Sequence, residues 1–238
     1  MSLLNIFLIF LSFSLNNDVY EIQYEYTQKL EIDEDMRRSY PPEIMEQIKE
    51  SSNQSYMFSM ITNQRESIIK LLPKVINTQN GLGIEIEPDL KWTYKNLKEN
   101  YIVNLIEFNE KYYIKDSIHK LNWQNTKEQK FILGYKSNKF TFENENQLIE
   151  IWCAEDIKIP NGPLNYSGNS NLILESIITN KKGVRHSFHF IAIKIDRAND
   201  YDFKGDMPKE IIQKKDFEKI FNEFKKKESE MNVSVDKD

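Results

Sequence analysis

The sequence predicts a mainly β protein: an antiparallel curved sheet or open barrel, with a short helix after the first strand and another at the C-terminus. Three observations carry that expectation. Val19–Leu30 alternates apolar and polar residues with a period of two. Short apolar runs recur at hairpin spacing through the middle of the chain, and helical periodicity is confined to the stretches after Pro41 and after Pro208. Strands so spaced pair as hairpins, and the helices pack on the resulting sheet.

Val19–Leu30 is the clearest element. Tyr20, Ile22, Tyr24, Tyr26 and Leu30 fall on one face; Glu21, Gln23, Glu25, Thr27 and Lys29 fall on the other. Such alternation marks a strand with one buried and one wet side. Glu31–Ser39 reads as a charged connector. Pro41-Pro42 then opens a short helix carrying Ile44, Met45 and Ile48, since proline is tolerated in a first turn. Ser55–Ile61 and Glu66–Leu72 read as two strands or one long bent pair, with Thr62-Asn63-Gln64 between them. Pro73–Asn100, punctuated by Gly81, Gly83 and Pro88, reads as an excursion with weak strand content. Tyr101–Phe108 and Lys111–Ile114 form a hairpin across Asn109-Glu110.

The stretch Phe131–Ile178 organises the remainder. Phe131, Leu133 and Tyr135 alternate with Lys130, Ile132, Gly134 and Lys136, and Phe140 and Phe142 continue the run. Glu143-Asn144-Glu145-Asn146 is a turn, because asparagine hydrogen-bonds its own backbone and tolerates the left-handed region. The chain returns as Leu148–Cys153. Ile159-Pro160-Asn161-Gly162-Pro163 reads as a defined corner, two prolines fixing backbone angles and a glycine freeing one. Leu172-Ile173-Leu174 and Ile177-Ile178 are apolar on both faces, which suits a strand buried on both sides. Asn180–Gly183 is a turn into a last long strand, Val184–Ile195. Asp200–Asp206 is polar and loop-like. From Pro208 to about Glu230 the pattern is helical: Phe217, Ile220, Phe221 and Phe224 share one stripe, and Lys225-Lys226-Lys227 would complement the negative end of the helix dipole.

The ends and the composition bound the setting. Met1–Ser14 holds an apolar run, Leu3–Phe13, interrupted by Asn5 and Ser12. It is too short to span a bilayer and reads as the hydrophobic core of a secretory signal; the competing reading is a buried first element. The expected organisation is a signal over 1–17, one β-rich domain over 18–230, and a frayed tail over 231–238, with no transmembrane segment in the mature chain. The 32 basic and 37 acidic residues leave a net charge of −5 with no basic block, which argues against nucleic acid as a partner. The single cysteine, Cys153, permits no internal disulfide.

Several of these segments resemble the GLPGLI family of bacterial envelope proteins. Ile114, Asp116, Ile118 and Trp123 match its first segment, and Ile132, Gly134 and Tyr135 its second. Trp152, Ile157, Gly162 and Pro163 match the third, and Gly168, Leu172, Ile173 and Leu174 frame the naming heptapeptide. The chain departs from the pattern at Asn169-Ser170-Asn171, which stands where the family has L-P-G, and at Ser137, where a cysteine is frequent. The likeness covers about a third of the chain. It implies a curved β fold, a charged C-terminal helix and a secreted or periplasmic location, and it implies no mechanism.

Candidate chemistry is sparse. His186 and His189, three apart in a strand, point to opposite faces and cannot share one ion; His119 stands apart. Asp200–Asp206 lacks an oxygen ligand at Lys204 and the closing glutamate of a calcium loop. Cys153 or His189 could serve a hydrolase, and Glu150, Glu155 and Asp156 could act as paired carboxylates, but Cys153 following Trp152 in a strand suits a small buried hydrophobe. No catalytic, cofactor-binding or metal-ligating set is assigned. Tyr20, Tyr24, Tyr26, Phe140, Phe142 and Trp152 either form a core under the helices or line a sheet that accepts an apolar ligand, lipid, lipoprotein or partner protein of the envelope.

Overall fold

The alternation in Val19–Leu30 sets the register of everything around it. In the computed structural model of the protein, which describes residues 18–30, 34–46, 54–74, 88–182 and 186–235, this segment is β1 (Val19–Leu30). Met1–Ser14, Gly81, Gly83 and Gly183 lie outside the described residues. Two short helices follow, α1 (Glu34–Ser39) and α2 (42–46), then β2 (Ser55–Thr62), β3 (Glu66–Leu71), β4 (Trp92–Asn96), β5 (Tyr101–Glu107), β6 (Lys111–Ser117) and β7 (His119–Lys120). The second half contributes β8 (Gln124–Ile132), β9 (Tyr135–Glu143), β10 (Gln147–Ala154), β11 (Tyr166–Ser167), β12 (Ile173–Asn180), β13 (His186–Ala198), β14 (Ile212–Gln213) and α3 (Lys214–Val235).

Twelve strands make one curved sheet in the order β14-β6-β5-β4-β3-β2-β1-β13-β12-β10-β9-β8. Pairing is antiparallel except at the β14–β6 margin, and β7 and β11 form a separate short parallel pair. The outermost strands β14 and β8 do not pair with each other, so the sheet is open. Directly opposed residues share a face. Tyr20, Ile22, Tyr24 and Tyr26 oppose Thr62, Met60, Phe58 and Tyr56 across β1–β2, and Tyr24 and Tyr26 oppose Ala192 and Phe190 across β1–β13. These residues, with Ile149, Ile151 and Cys153 of β10, define an inner face that carries the main core. The outer face holds a smaller cluster, in which Phe203 of the loop over residues 201–207 covers Ile68, Tyr94 and Val103.

Several expectations need correction. The connector Glu31–Ser39 contains α1, whose Glu, Met and Arg residues favour helix and whose Arg37 and Arg38 sit in the last turn, where the dipole favours cations. Pro73–Asn100 contains β4, a full member of the sheet between β3 and β5; it looks weak in sequence because its inward residues are Thr93 and Lys95. The run Phe131-Leu133-Tyr135 is not one strand. Leu133 and Gly134 take positive φ (49° and 82°) and turn β8 into β9, a two-residue hairpin of the mirror-image kind. Ile132 is therefore the buried residue, and Phe131 stands 73% exposed. Asp200–Asp206 is a loop, yet it buries Phe203. Finally, α3 runs on to Val235, into the stretch read as a tail, so Lys225–Lys227 lie inside the helix and no basic residue occupies its last turn. The helix docks at the β6 margin through Phe108–Phe221, Phe108–Phe224 and Tyr112–Phe217 ring contacts of 5.1, 4.7 and 5.2 Å.

Candidate ligand-binding site

What covers the inner face is not a helix but the connection from β10 to β12. In residues 155–172, Ile157, Ile159, Gly162, Pro163 and Leu164 are buried against the sheet. Three anchors hold this segment and its junction with β12. Tyr24 donates its hydroxyl proton to the Ile173 carbonyl at 2.6 Å. Trp123 Nε1 and the Leu121 amide donate to the Ser167 carbonyl at 3.0 and 3.1 Å. The third anchor is Lys95, 1% exposed, whose ammonium donates to Asn161 Oδ1 (2.9 Å), the Gly162 carbonyl (2.6 Å) and the Leu164 carbonyl. All three of its donors are thereby used. Burial pushes the Lys95 pKa down to about 7. Asn161 completes the link by donating from Nδ2 to Thr62 Oγ1 at 2.9 Å.

Two glycines permit this close approach for different reasons. A Cβ on Gly162 would lie 2.5 Å from Ile173 Cβ, so the site excludes any side chain; its backbone needs no positive φ, contrary to the sequence reading. Gly168 has φ 103°, and a Cβ there would strike the Leu121 carbonyl. The stretch Gly168–Leu174 is held by its own asparagines: Asn169 Oδ1 accepts from the Asn171 amide at 3.0 Å, and Asn171 Nδ2 donates to the Ala154 and Glu155 carbonyls at 2.6 and 2.9 Å. Side-chain amides do here what backbone-restricted residues do in other turns.

Beside this covering segment, a cavity of about 230 Å³ opens between it, residues 88–90 and the inner face. Tyr26, Leu90, Leu164, Ile178, Phe188 and Phe190 supply most of its apolar lining. Tyr26 and Phe188 lie nearly parallel, their centroids 6.4 Å apart at 15°, and Phe190 sits 4.7 Å from Tyr26 at 53°. Burial, with Asp89 and Tyr56 adding to it, pushes the Tyr26 phenol well above its ordinary pKa, so the ring stays neutral. Asp89 stands exposed at the rim.

Of the aromatic set proposed from sequence, Tyr20, Tyr24, Tyr26, Phe140 and Phe142 belong to the inner-face core, but only Tyr26 reaches the cavity. Trp152 is buried in the same cluster but stands on the opposite side of β10 from Ile151, across from Glu175, with the Lys130 ammonium 4.3 Å above its ring. Phe188 and Phe190 were missed as site residues; their alternation marks a strand, and the strand pairing with β1 that brings them to Tyr26 is not encoded locally. The residues that carry the sequence resemblance divide. Trp123, Ile157, Gly162, Pro163, Gly168 and Leu172 build the covering segment and its anchors, and Ile173 and Leu174 open β12. Gly134 and Tyr135 form the β8–β9 hairpin, and Asp116 lies at the far margin, accepting from Lys214 Nζ at 2.9 Å.

The hydrolase candidates do not meet. Cys153 is on the inner face, fully buried, and burial pushes its thiol far above the ordinary value, against a weaker opposing effect of Asn169. His189 is on the outer face with Nε2 3.0 Å from Glu175 Oε1, while Lys130 pairs with the other oxygen. Burial acts to raise the Glu175 carboxyl, but the His189 and Lys130 contacts outweigh it and hold it below the usual carboxylate range. Glu150 and Glu155 are ion-paired to Lys139 (2.7 Å) and Lys136 (3.1 Å). Among the described residues no group of three or more His, Cys, Asp or Glu could hold a metal ion, and no helix is long and apolar enough to cross a membrane.

No family model and no curated protein matches the chain. Solved structures align with most of the chain. PNGF-II, solved in two crystal forms, superposes with TM-scores of 0.53 and 0.51 at 19% identity, over 83% of this chain and 31% of that one. A LolA-superfamily protein from Nitrosomonas europaea aligns at a TM-score of 0.35 and 7% identity, over 81% of this chain and 91% of its own. The chain spans about a third of the length of PNGF-II, and that likeness is one of fold: an open, curved, mostly antiparallel sheet.

Proposed function

We propose that this is an exported, envelope-associated protein of the GLPGLI type that binds a small apolar ligand on the inner face of its sheet, with no catalytic centre. The aromatic-lined cavity beside the covering segment is the observation that carries the binding reading. Small-molecule sites usually enclose about 300–1,000 Å³, so a cavity of about 230 Å³ suits a compact ligand, or one end of an acyl chain, better than a whole lipid. Support for export comes from the apolar run in Met1–Ser14.

Native mass spectrometry of the protein purified from its own cell envelope tests this. A co-purifying small apolar molecule is expected, and Ile178→Trp, which fills the cavity, should release it while leaving the β-type circular dichroism unchanged. A bare chain in the wild type, or a ligand retained in the variant, would count against the cavity as the site. Sequencing of the mature N-terminus near residue 18 tests export, and a retained Met1 would contradict it.

A further inference from the structure

We propose that the ligand carries a cationic group, a protonated amine, beside its apolar body, and binds with that charge against Asp89. The inference rests on the cavity reading and names the ligand's chemical class. Among the described residues that line the cavity, Asp89 alone is charged. It has no ion-pair or hydrogen-bond partner among the described residues, although cations stand nearby. Lys91, two residues on, is turned to Glu107 at 2.6 Å, and Lys111 holds the other oxygen of that carboxylate at 3.2 Å. Lys74 lies 4.9 Å over the Tyr56 ring. The neighbouring lysines are thus engaged elsewhere, and the carboxylate at the rim is left for something that enters from outside.

The walls agree with that choice. Tyr26, Phe188 and Phe190 present aromatic rings, and a ring face attracts an ammonium as well as an apolar group. An anionic ligand would meet Asp89 with like charge. A neutral one would leave Asp89 solvated and gain only from burial. A cationic amphiphile satisfies both the rim and the walls, because its apolar body fills the cavity while its ammonium remains at the exposed mouth beside the carboxylate.

Three molecules of one size and shape separate these cases: 4-phenylbutylamine, 4-phenylbutanol and 4-phenylbutyrate, titrated calorimetrically into the full chain at neutral pH. The amine should bind most tightly, by about tenfold over the alcohol, equivalent to ~1.4 kcal/mol, and the carboxylate most weakly. Asp89→Asn should reduce the amine to the affinity of the alcohol, and raising the salt concentration should narrow the wild-type gap. Equal binding of amine and alcohol by the wild type would overturn the charge assignment and leave the apolar cavity standing. An amine preference that survives Asp89→Asn would overturn it too. Binding of none of the three would overturn the cavity reading itself.

Discussion

Lys95 is the residue on which the interior turns. It projects from β4 into the apolar face, where an ammonium loses its water, and the covering segment replaces that water with three oxygen acceptors. Burial holds the folded-state pKa at about 7, against 10.5 for the free group. Below about pH 7 the group is charged in both states and the burial cost is present in full. As pH rises from about 7 towards the unfolded value, the unfolded chain binds the extra proton, so stability must increase through that window. In urea unfolding from pH 7 to 10, the wild type should therefore gain stability relative to Lys95→Met, by at most about 1.4 kcal/mol per pH unit. Parallel pH profiles for the two proteins would show that Lys95 does not titrate in the fold. This residue also explains a gap in the sequence reading: a lysine and a threonine pointing inward disguise β4 as loop.

Among the elements, the segment over residues 155–172 decides what the sheet can do. Its prolines and glycines mark Ile159–Pro163 as a fixed corner, and that much was legible. Its role as cover was not, because its partners are remote in sequence: Asn161 reaches Thr62 across 99 residues and Tyr24 reaches Ile173 across 149. Local alternation reports which side of a strand is apolar, not what will lie on it. The hairpins at Asn109-Glu110 and Glu143–Asn146 were legible for the opposite reason, since their partners are neighbours. Asn144 Oδ1 accepts from the Asn146 and Gln147 amides at 2.8 and 2.9 Å, as an asparagine turn should. The tight fit of the segment is open to mutation. Gly162→Ala should cost about 1–3 kcal/mol through overpacking against Ile173, read as a lower urea midpoint. Faster amide exchange should appear at Ile173, whose N–H donates to the Asn161 carbonyl at 2.8 Å. An unchanged midpoint with protected exchange would mean that the segment is not locked at Gly162.

For the molecule as a whole, strand order and edges set the shape. The chain lays β1 at the centre and builds outwards in both directions, so β8 and β14 become edges that natural sheets must guard against further pairing. The β14 margin is covered by α3. The β8 edge breaks its register between Asn125 and Gln129 around Lys127, at φ 66°, and carries Lys127, Glu128 and Lys130, a twisted and charged border of the kind that resists aggregation. Fold class was readable from periodicity, and the hairpin order only in part, since β4 and the β8–β9 turn at Leu133-Gly134 escaped it. The cavity was not, because it is formed where β1, β12 and β13 meet the covering segment and residues 88–90, a junction no single stretch encodes. Binding at that junction can be seen atom by atom. With 4-phenylbutanol present and isoleucine methyls labelled, nuclear Overhauser contacts should connect the phenyl protons to the Ile178 methyls and to the Phe188 and Phe190 rings. Contacts confined to the exposed Phe131–Leu133 hairpin or to Phe224 of α3, with none at Ile178, would contradict an inner-face ligand site.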